Sequence, residues 1–254
     1  MKVIPYICCG DPNINFTFDL IKTVAQYSNF IELGIPFSDP IADGKTIQKA
    51  TARSLKNGIT IEKIFKMCSR LKKEGLEVPL VFMTYYNIIY CFGAGKFLIK
   101  MKHAGIKGLI IADLPLGEDK GFESLAKKHQ ISLIHLIAPN TSNERCLEIL
   151  KHAGLFTYVV SLSGITGARK KADIEGLTLV RRIRKIAKIK KLFVGFGISS
   201  PEQAKAFEKV GADGIIVGSK IIDIYGRCIK GRKIDGKKAL NEVKKFIKKL
   251  RGGK

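Results

Sequence analysis

The chain has 254 residues, 46% of them apolar, 26% charged, and a formal net charge of +23. That composition excludes a disordered or fibrous chain, and the length allows one sizeable core or two smaller ones. No apolar run reaches the roughly 20 residues that span a bilayer, and Met1-Lys2-Val3-Ile4-Pro5 shows no secretory pattern. A cytoplasmic protein is expected, an organelle stroma being the alternative compartment. The six cysteines show no CxxC spacing, which reads as reduced structural thiols.

In chain order, β-branched runs fall at 3–9, 30–33, 80–84, 109–112, 132–137, 157–160, 192–195 and 214–218, with helical patterns between them. Such alternation is the form of βαβ units on a parallel sheet. Helix starts are readable at Ser200-Pro201-Glu202-Gln203 and at Thr141 with Glu144, both capping boxes. Glycine closes helices at Gly105, Gly154 and Gly211. The segments 105–111 and 211–217 are nearly the same phrase, as stacked repeats would be. Eight units filling the length predict an α/β chain folded as a single (β/α)8 TIM barrel, one domain over 1–254, rather than an open doubly wound sheet.

The last helical pattern, 237–250, sets Ala239, Leu240, Val243, Phe246, Ile247 and Leu250 on one stripe with lysines mostly off it. Much of the positive charge therefore reads as solvated helix faces. Aromatics are not interleaved with the basic runs, so a nucleic-acid partner ranks below a charged surface despite the net charge of +23.

A barrel of this kind places its chemistry at the C-terminal ends of the strands and often holds phosphate after strands seven and eight. Gly195-Phe196-Gly197 and Gly218-Ser219 sit at those two positions, each just before a helix. Bare backbone N–H groups at a helix start suit an anion, while tight turns alone would also use glycine. Glu32 interrupts an apolar strand, and period-two alternation can put it on the lumen face. Burial would raise its pKa toward the range useful for proton transfer; a salt-bridged structural acid is the other reading, and both stay open. Asp39 before Pro40 and Asp43 before Gly44 have turn chemistry on their own. The stretch Ser163-Gly164-Ile165-Thr166-Gly167-Ala168 resembles a lid or a plain mobile loop.

The run Glu32-Leu33-Gly34-Ile35-Pro36-Phe37-Ser38-Asp39-Pro40-Ile41-Ala42-Asp43-Gly44, with Thr46-Ile47-Gln48 after it, closely resembles the signature of the tryptophan synthase alpha subunit family. Gly10-Asp11-Pro12, Ser163-Gly164-Ile165-Thr166-Gly167, the stretch from Gly195 to Gln203 and Gly218-Ser219 follow in that family's order, so the resemblance covers essentially the whole chain. It implies a lyase performing the retro-aldol cleavage of indole-3-glycerol phosphate to indole and glyceraldehyde 3-phosphate, in tryptophan biosynthesis. By that resemblance Glu32 is the general acid and base, and Asp43 the carboxylate that stabilises charge at the indole N–H. Tyr158 and Thr166 support the site and its loop, Thr166 orienting Asp43. Gly167, Gly197, Gly218 and Ser219 hold the phosphate; Tyr6, Ile110, Ala112, Leu136 and Phe196 line the indole pocket. No metal and no organic cofactor are implied in this chain. The implied partner is a beta subunit carrying pyridoxal phosphate, in an alpha2-beta2 heterotetramer, with Pro36 and Asp39 on the facing loop.

The family pattern carries a helix before the first strand, and here that strand is expected to begin at about Val3, so no such plug helix is expected. Lysine is in excess over 185–191 and 227–254. Among rival barrels, a Schiff-base aldolase would need a lysine on a barrel strand, which 157–161 does not offer. A metal-dependent epimerase would need converging histidines, but His103, His129 and His152 fall on helical patterns and only His135 on a strand. The remaining rival, a basic nucleic-acid-binding barrel without catalysis, would have no need of Glu32 and Asp43 beside intact phosphate turns.

Overall fold

The computed structural model describes residues 1–118, 121–160, 169–187, 191–195, 197–231 and 233–252. The elements run β1 (Lys2–Cys8), α1 (Ile14–Ala25), β2 (Ile31–Gly34), α2 (Lys45–Lys56), α3 (Ile61–Lys73), β3 (Leu80–Thr84), α4 (Tyr86–Phe92), α5 (Ala94–Ala104) and β4 (Ile106–Ile111). They continue with α6 (Phe122–Lys128), β5 (Ser132–Leu133), β6 (Leu136–Ile137), α7 (Asn143–Lys151), β7 (Thr157–Val160), α8 (Arg169–Ile186), β8 (Leu192–Gly195), α9 (Pro201–Lys209) and β9 (Gly214–Val217). After α10 (Ser219–Gly226) come β10 (Ile229–Lys230), β11 (Lys233–Ile234) and α11 (Gly236–Leu250).

One nine-stranded sheet has the order β5-β4-β3-β2-β1-β9-β8-β7-β6, and its pairings are parallel. Its two ends, β5 and β6, are halves of one stretch of chain. The sheet is therefore closed through Ile134 and His135: Ile134 N–H bonds Leu109 O at 2.9 Å and Tyr158 N–H bonds His135 O at 3.4 Å. The unbroken strand expected over 132–137 is thus two short ones. Barrel closure staggers neighbouring strands, so β4 overlaps the first half of this stretch and β7 the second.

Side-chain parity separates helix face from lumen. Phe82 meets Phe65 of α3 at 5.7 Å and Phe97 of α5 at 6.4 Å, so its side of β3 faces the helices. Val81, of opposite parity, pairs in register with Glu32, which pairs in turn with Tyr6. The lumen floor is aromatic. Phe30, just before β2, reaches Phe156 at 5.4 Å and Phe193 at 6.2 Å, and those two lie 5.1 Å apart. β1 and β9 separate β2 from β8 in the sheet, so these rings can meet only through the interior.

Ser200 caps α9 by accepting from Gln203 N–H, while the Gln203 side chain accepts from Ser199 N–H rather than from the cap residue's own. The cap expected at Thr141 lies one residue on, at Ser142, which accepts from Arg145 N–H. Thr141 Oγ1 instead accepts from Ala138 N–H, a turn bond that competes with capping. Gly105 and Gly211 have φ of 80° and 100°, where an L side chain is strained. Gly154 has no positive φ; what it provides is room, because a Cβ there would run into Ser132 Oγ. The small hairpin of β10 and β11, paired Ile229–Ile234, carries no signal in the alternation pattern. In α11, Ala239, Val243, Ile247 and Leu250 are buried, with Leu240 and Phe246 partly so. No helix among the described residues is long and apolar enough to cross a membrane.

Candidate active site

β2 carries Glu32 into the lumen, where the side chain has 0% exposure. Neither carboxyl oxygen has a hydrogen-bond partner among the described residues. A charged carboxylate without water or donors is costly, so burial, with the charge of Asp43 adding to it, pushes the pKa up to about 8. Glu32 therefore holds a proton at neutral pH. Among the described residues no salt bridge involves it, so a structural acid would lack its partner there.

Asp43 lies in the loop after β2, half-buried, with its carboxyl raised by burial and lowered by a hydrogen bond from Tyr85. That bond runs from Tyr85 Oη–H to Asp43 Oδ2 at 3.1 Å. Tyr85 follows β3, stacks on Phe37 at 5.1 Å, and accepts from Ala42 N–H at 3.1 Å, so loop and strand fix each other. Gln48 Nε2 donates to the Asp43 carbonyl at 2.8 Å. The residue expected to orient Asp43, Thr166, lies outside the described residues, as do Gly167 and Phe196. The sequence reading does not single out Tyr85 or Phe37 as site residues, although the place of Tyr85 at the C-terminal end of a barrel strand is a signal for it.

Tyr6 of β1 and Tyr158 of β7 are both buried. Burial first, and then the neighbouring acids, Glu32 and Asp43 among them, raise both phenols well above the usual value. Both keep their protons as donors. Three glycines make the space for these rings: a Cβ at Gly34 would strike the Tyr6 hydroxyl, one at Gly195 the Tyr158 ring, and one at Gly218 would meet Tyr6 Cδ1 at 2.9 Å. Ile110 is fully buried in β4. Ala112 and Leu136 are half-buried and share a cleft of about 210 Å³ with His135, Thr141 and Arg145.

Gly218 and Ser219 are half-buried at the start of α10, whose first turn has no side-chain cap. Its free N–H groups can meet an anion. Gly197, with φ 80°, opens the turn after β8. Of the two candidate interface residues, Asp39 is exposed and Pro36 is buried. Ile41, beside Asp39 on the same loop, is 80% exposed. Among the described residues the barrel strands carry two lysines, Lys2 and Lys107, both exposed, so none of these is placed for a Schiff base in the lumen. Among the described residues no group of three or more His, Cys, Asp or Glu is placed to hold a metal ion.

A closed parallel barrel with a proton-holding acid in its lumen and glycine turns at its mouth defines an enzyme of the (β/α)8-barrel class. The family model described as tryptophan synthase alpha chain matches residues 1–251, and the chain belongs to that family. A tryptophan synthase alpha chain from Methanococcus voltae is 41% identical over 254 residues, covering 99% of this chain and 86% of that one. One from Thermococcus kodakarensis is 41% identical over 226 residues, covering 89% of each. The tryptophan synthase A-subunit structure from Pyrococcus furiosus superposes with a TM-score of 0.88 at 39% identity, covering 99% of this chain and 98% of that one. A structure of the a2b2 complex from the same organism gives 0.89 at 39% identity, with the same coverage.

Proposed function

We propose that this chain, acting as one barrel domain over 1–254 in the cytoplasm, cleaves indole-3-glycerol phosphate to indole and glyceraldehyde 3-phosphate. The observation that carries the reading is Glu32, a fully buried acid whose two oxygens have no partner among the described residues and whose pKa is pushed up to about 8. Such a group starts protonated, and it can deliver that proton to indole C3. The ring then becomes an indolenine with positive charge at N1, where the Asp43 carboxylate accepts the N–H and stabilises the cation. Glu32, now ionised, takes the proton of the glycerol hydroxyl on the carbon bonded to C3. The carbon–carbon bond breaks, its electron pair restores the indole, and the aldehyde leaves as glyceraldehyde 3-phosphate. Proton count and charge are restored at Glu32, and the sequence needs no cofactor in this chain.

In this reading Tyr6, Ile110, Ala112, Leu136, Tyr158 and Phe196 enclose the indole, Thr166 supports Asp43, and Gly167, Gly197, Gly218 and Ser219 hold the phosphate. The chain would assemble with a pyridoxal-phosphate-bearing beta subunit as an alpha2-beta2 complex. Asp39 and Ile41 are what the loop after β2 offers that partner, whereas buried Pro36 shapes the loop from within.

Indole release from indole-3-glycerol phosphate, with and without a beta subunit, is the direct assay. Glu32→Gln should fold and bind phosphate normally while turnover falls by about 10² to 10⁴-fold, the usual worth of a positioned proton-transfer group. Parental turnover in that variant would refute the mechanism.

A further inference from the structure

Asp11, in the loop after β1, is 1% exposed and accepts hydrogen bonds from two different helices. Arg53 of α2 grips it with both prongs of its guanidinium, Nε to Oδ1 at 2.9 Å and a terminal nitrogen to Oδ2 at 2.8 Å. Tyr225 of α10 donates its hydroxyl to Oδ2 at 2.6 Å. None of the three residues has a part in the proton transfers above. Their position along the chain is what matters. α2 begins two residues after Asp43, and α10 begins at Ser219, directly after Gly218.

We propose that Asp11 is a positioning residue: with Arg53 and Tyr225 it locks the helix that carries the Asp43 loop to the helix whose first turn seats the phosphate. The inference rests on the functional reading above and deepens it. Other bonds seat α2 against the same loop, Ser54 Oγ to Cys9 O at 2.6 Å and Asn57 Nδ2 to Pro12 O at 2.7 Å. Thr46 in the first turn of α2 also reaches Asp223 of α10 at 3.4 Å. A bidentate, charge-assisted pair on a buried carboxylate has a narrow angular well, so it fixes the direction of α2 as well as its distance. A substrate held at its phosphate and at its indole N–H needs those two anchors at a set separation, because small misplacements cost much of the rate.

The two arms of the clamp can be loosened separately. Tyr225→Phe keeps the ring and frees only α10: KM for indole-3-glycerol phosphate and the dissociation constant of inorganic phosphate should both rise about tenfold, the worth of one charge-assisted hydrogen bond. Its kcat should stay within about twofold of the parent. Arg53→Gln frees α2: kcat should fall by about tenfold or more while phosphate affinity holds, and Arg53→Lys, which keeps one charged bond, should recover part of kcat. A purely structural cluster would give the same proportional loss in both variants, or a lowered melting temperature with unchanged kcat and KM, and either result overturns the clamp. If the parent releases no indole, the functional reading falls by itself; the clamp then stands on weakened inorganic phosphate binding in Tyr225→Phe and falls if that binding is unchanged.

Discussion

Glu32 makes opposite demands on stability and on catalysis. In the unfolded chain its pKa is near the ordinary 4.5, and in the fold it is pushed up to about 8. Between those values the folded state keeps a proton that the unfolded chain has released, so stability falls as pH rises through the window. Glu32→Gln removes that slope. The variant's advantage in urea unfolding free energy should therefore grow from pH 5 to pH 8, by a few kcal/mol at about 1.4 kcal/mol per pKa unit. A difference that stays flat with pH would mean that the native acid is already ionised and partnered. The same protonation state sets the activity profile: kcat/KM for indole-3-glycerol phosphate should decline above pH about 8 as free Glu32 loses the proton it must donate. A rise through that pH would make Glu32 a base first and reverse the order of the two proton transfers. Asp43 needs the opposite state, and Tyr85 is the group that favours it, offsetting part of the burial cost by donating to Oδ2.

Strands position these acids, and glycines on the strands decide what fits beside them. Gly195 on β8 faces Tyr158 on β7 so closely that an added Cβ would overlap the phenol ring. Gly195→Ala must push a buried ring toward the Glu32 side of the lumen or tilt the strand; overpacking of this kind costs about 1 to 3 kcal/mol. A lowered melting temperature together with a raised KM for indole-3-glycerol phosphate is expected, and parental values for both would show that the ring has room to turn. Such close approaches explain where legibility stopped. The strand cores at 80–84, 157–160 and 192–195 match the structure because β-branched runs between helical patterns report strands directly. The break at Ile134–His135 was not legible, since it comes from the stagger of two neighbours and leaves no mark on local composition. Gly154 reads as a helix stop in sequence but serves as space for Ser132, a contact between distant parts of the chain. Glu32 is legible because an acid is rare in an apolar strand, whereas Asp43 reads as a turn residue on its own and is singled out only by the resemblance of the long run around it. Tyr85 and the grouping of Asp11, Arg53 and Tyr225 are not legible, since aromatic and charged residues on loops and helices look ordinary until the fold gathers them.

For the whole molecule, a net charge of +23 suits either a small anionic substrate or a nucleic-acid partner. The distribution of charge favours the substrate. Lysine and arginine are spread over the outer helices, among them α3, α8 and α11, and α11 turns its apolar stripe inward and its lysines out. A cationic shell of this kind raises the local concentration of phosphate-bearing molecules and speeds their capture without contacting them, an effect that salt screens. By contrast, a nucleic-acid groove gathers many phosphate contacts along one track, and its affinity then collapses as a high power of salt. The prediction is a several-fold fall in kcat/KM for indole-3-glycerol phosphate between about 20 and 200 mM monovalent salt, with kcat unchanged, because only encounter depends on the long-range field. In the same range, unrelated duplex DNA should be held weakly at low salt and released by about 150 mM. Retention of DNA at that ionic strength, measured by fluorescence anisotropy, together with a salt-independent kcat/KM, would assign the charge to a polyanion rather than to the substrate.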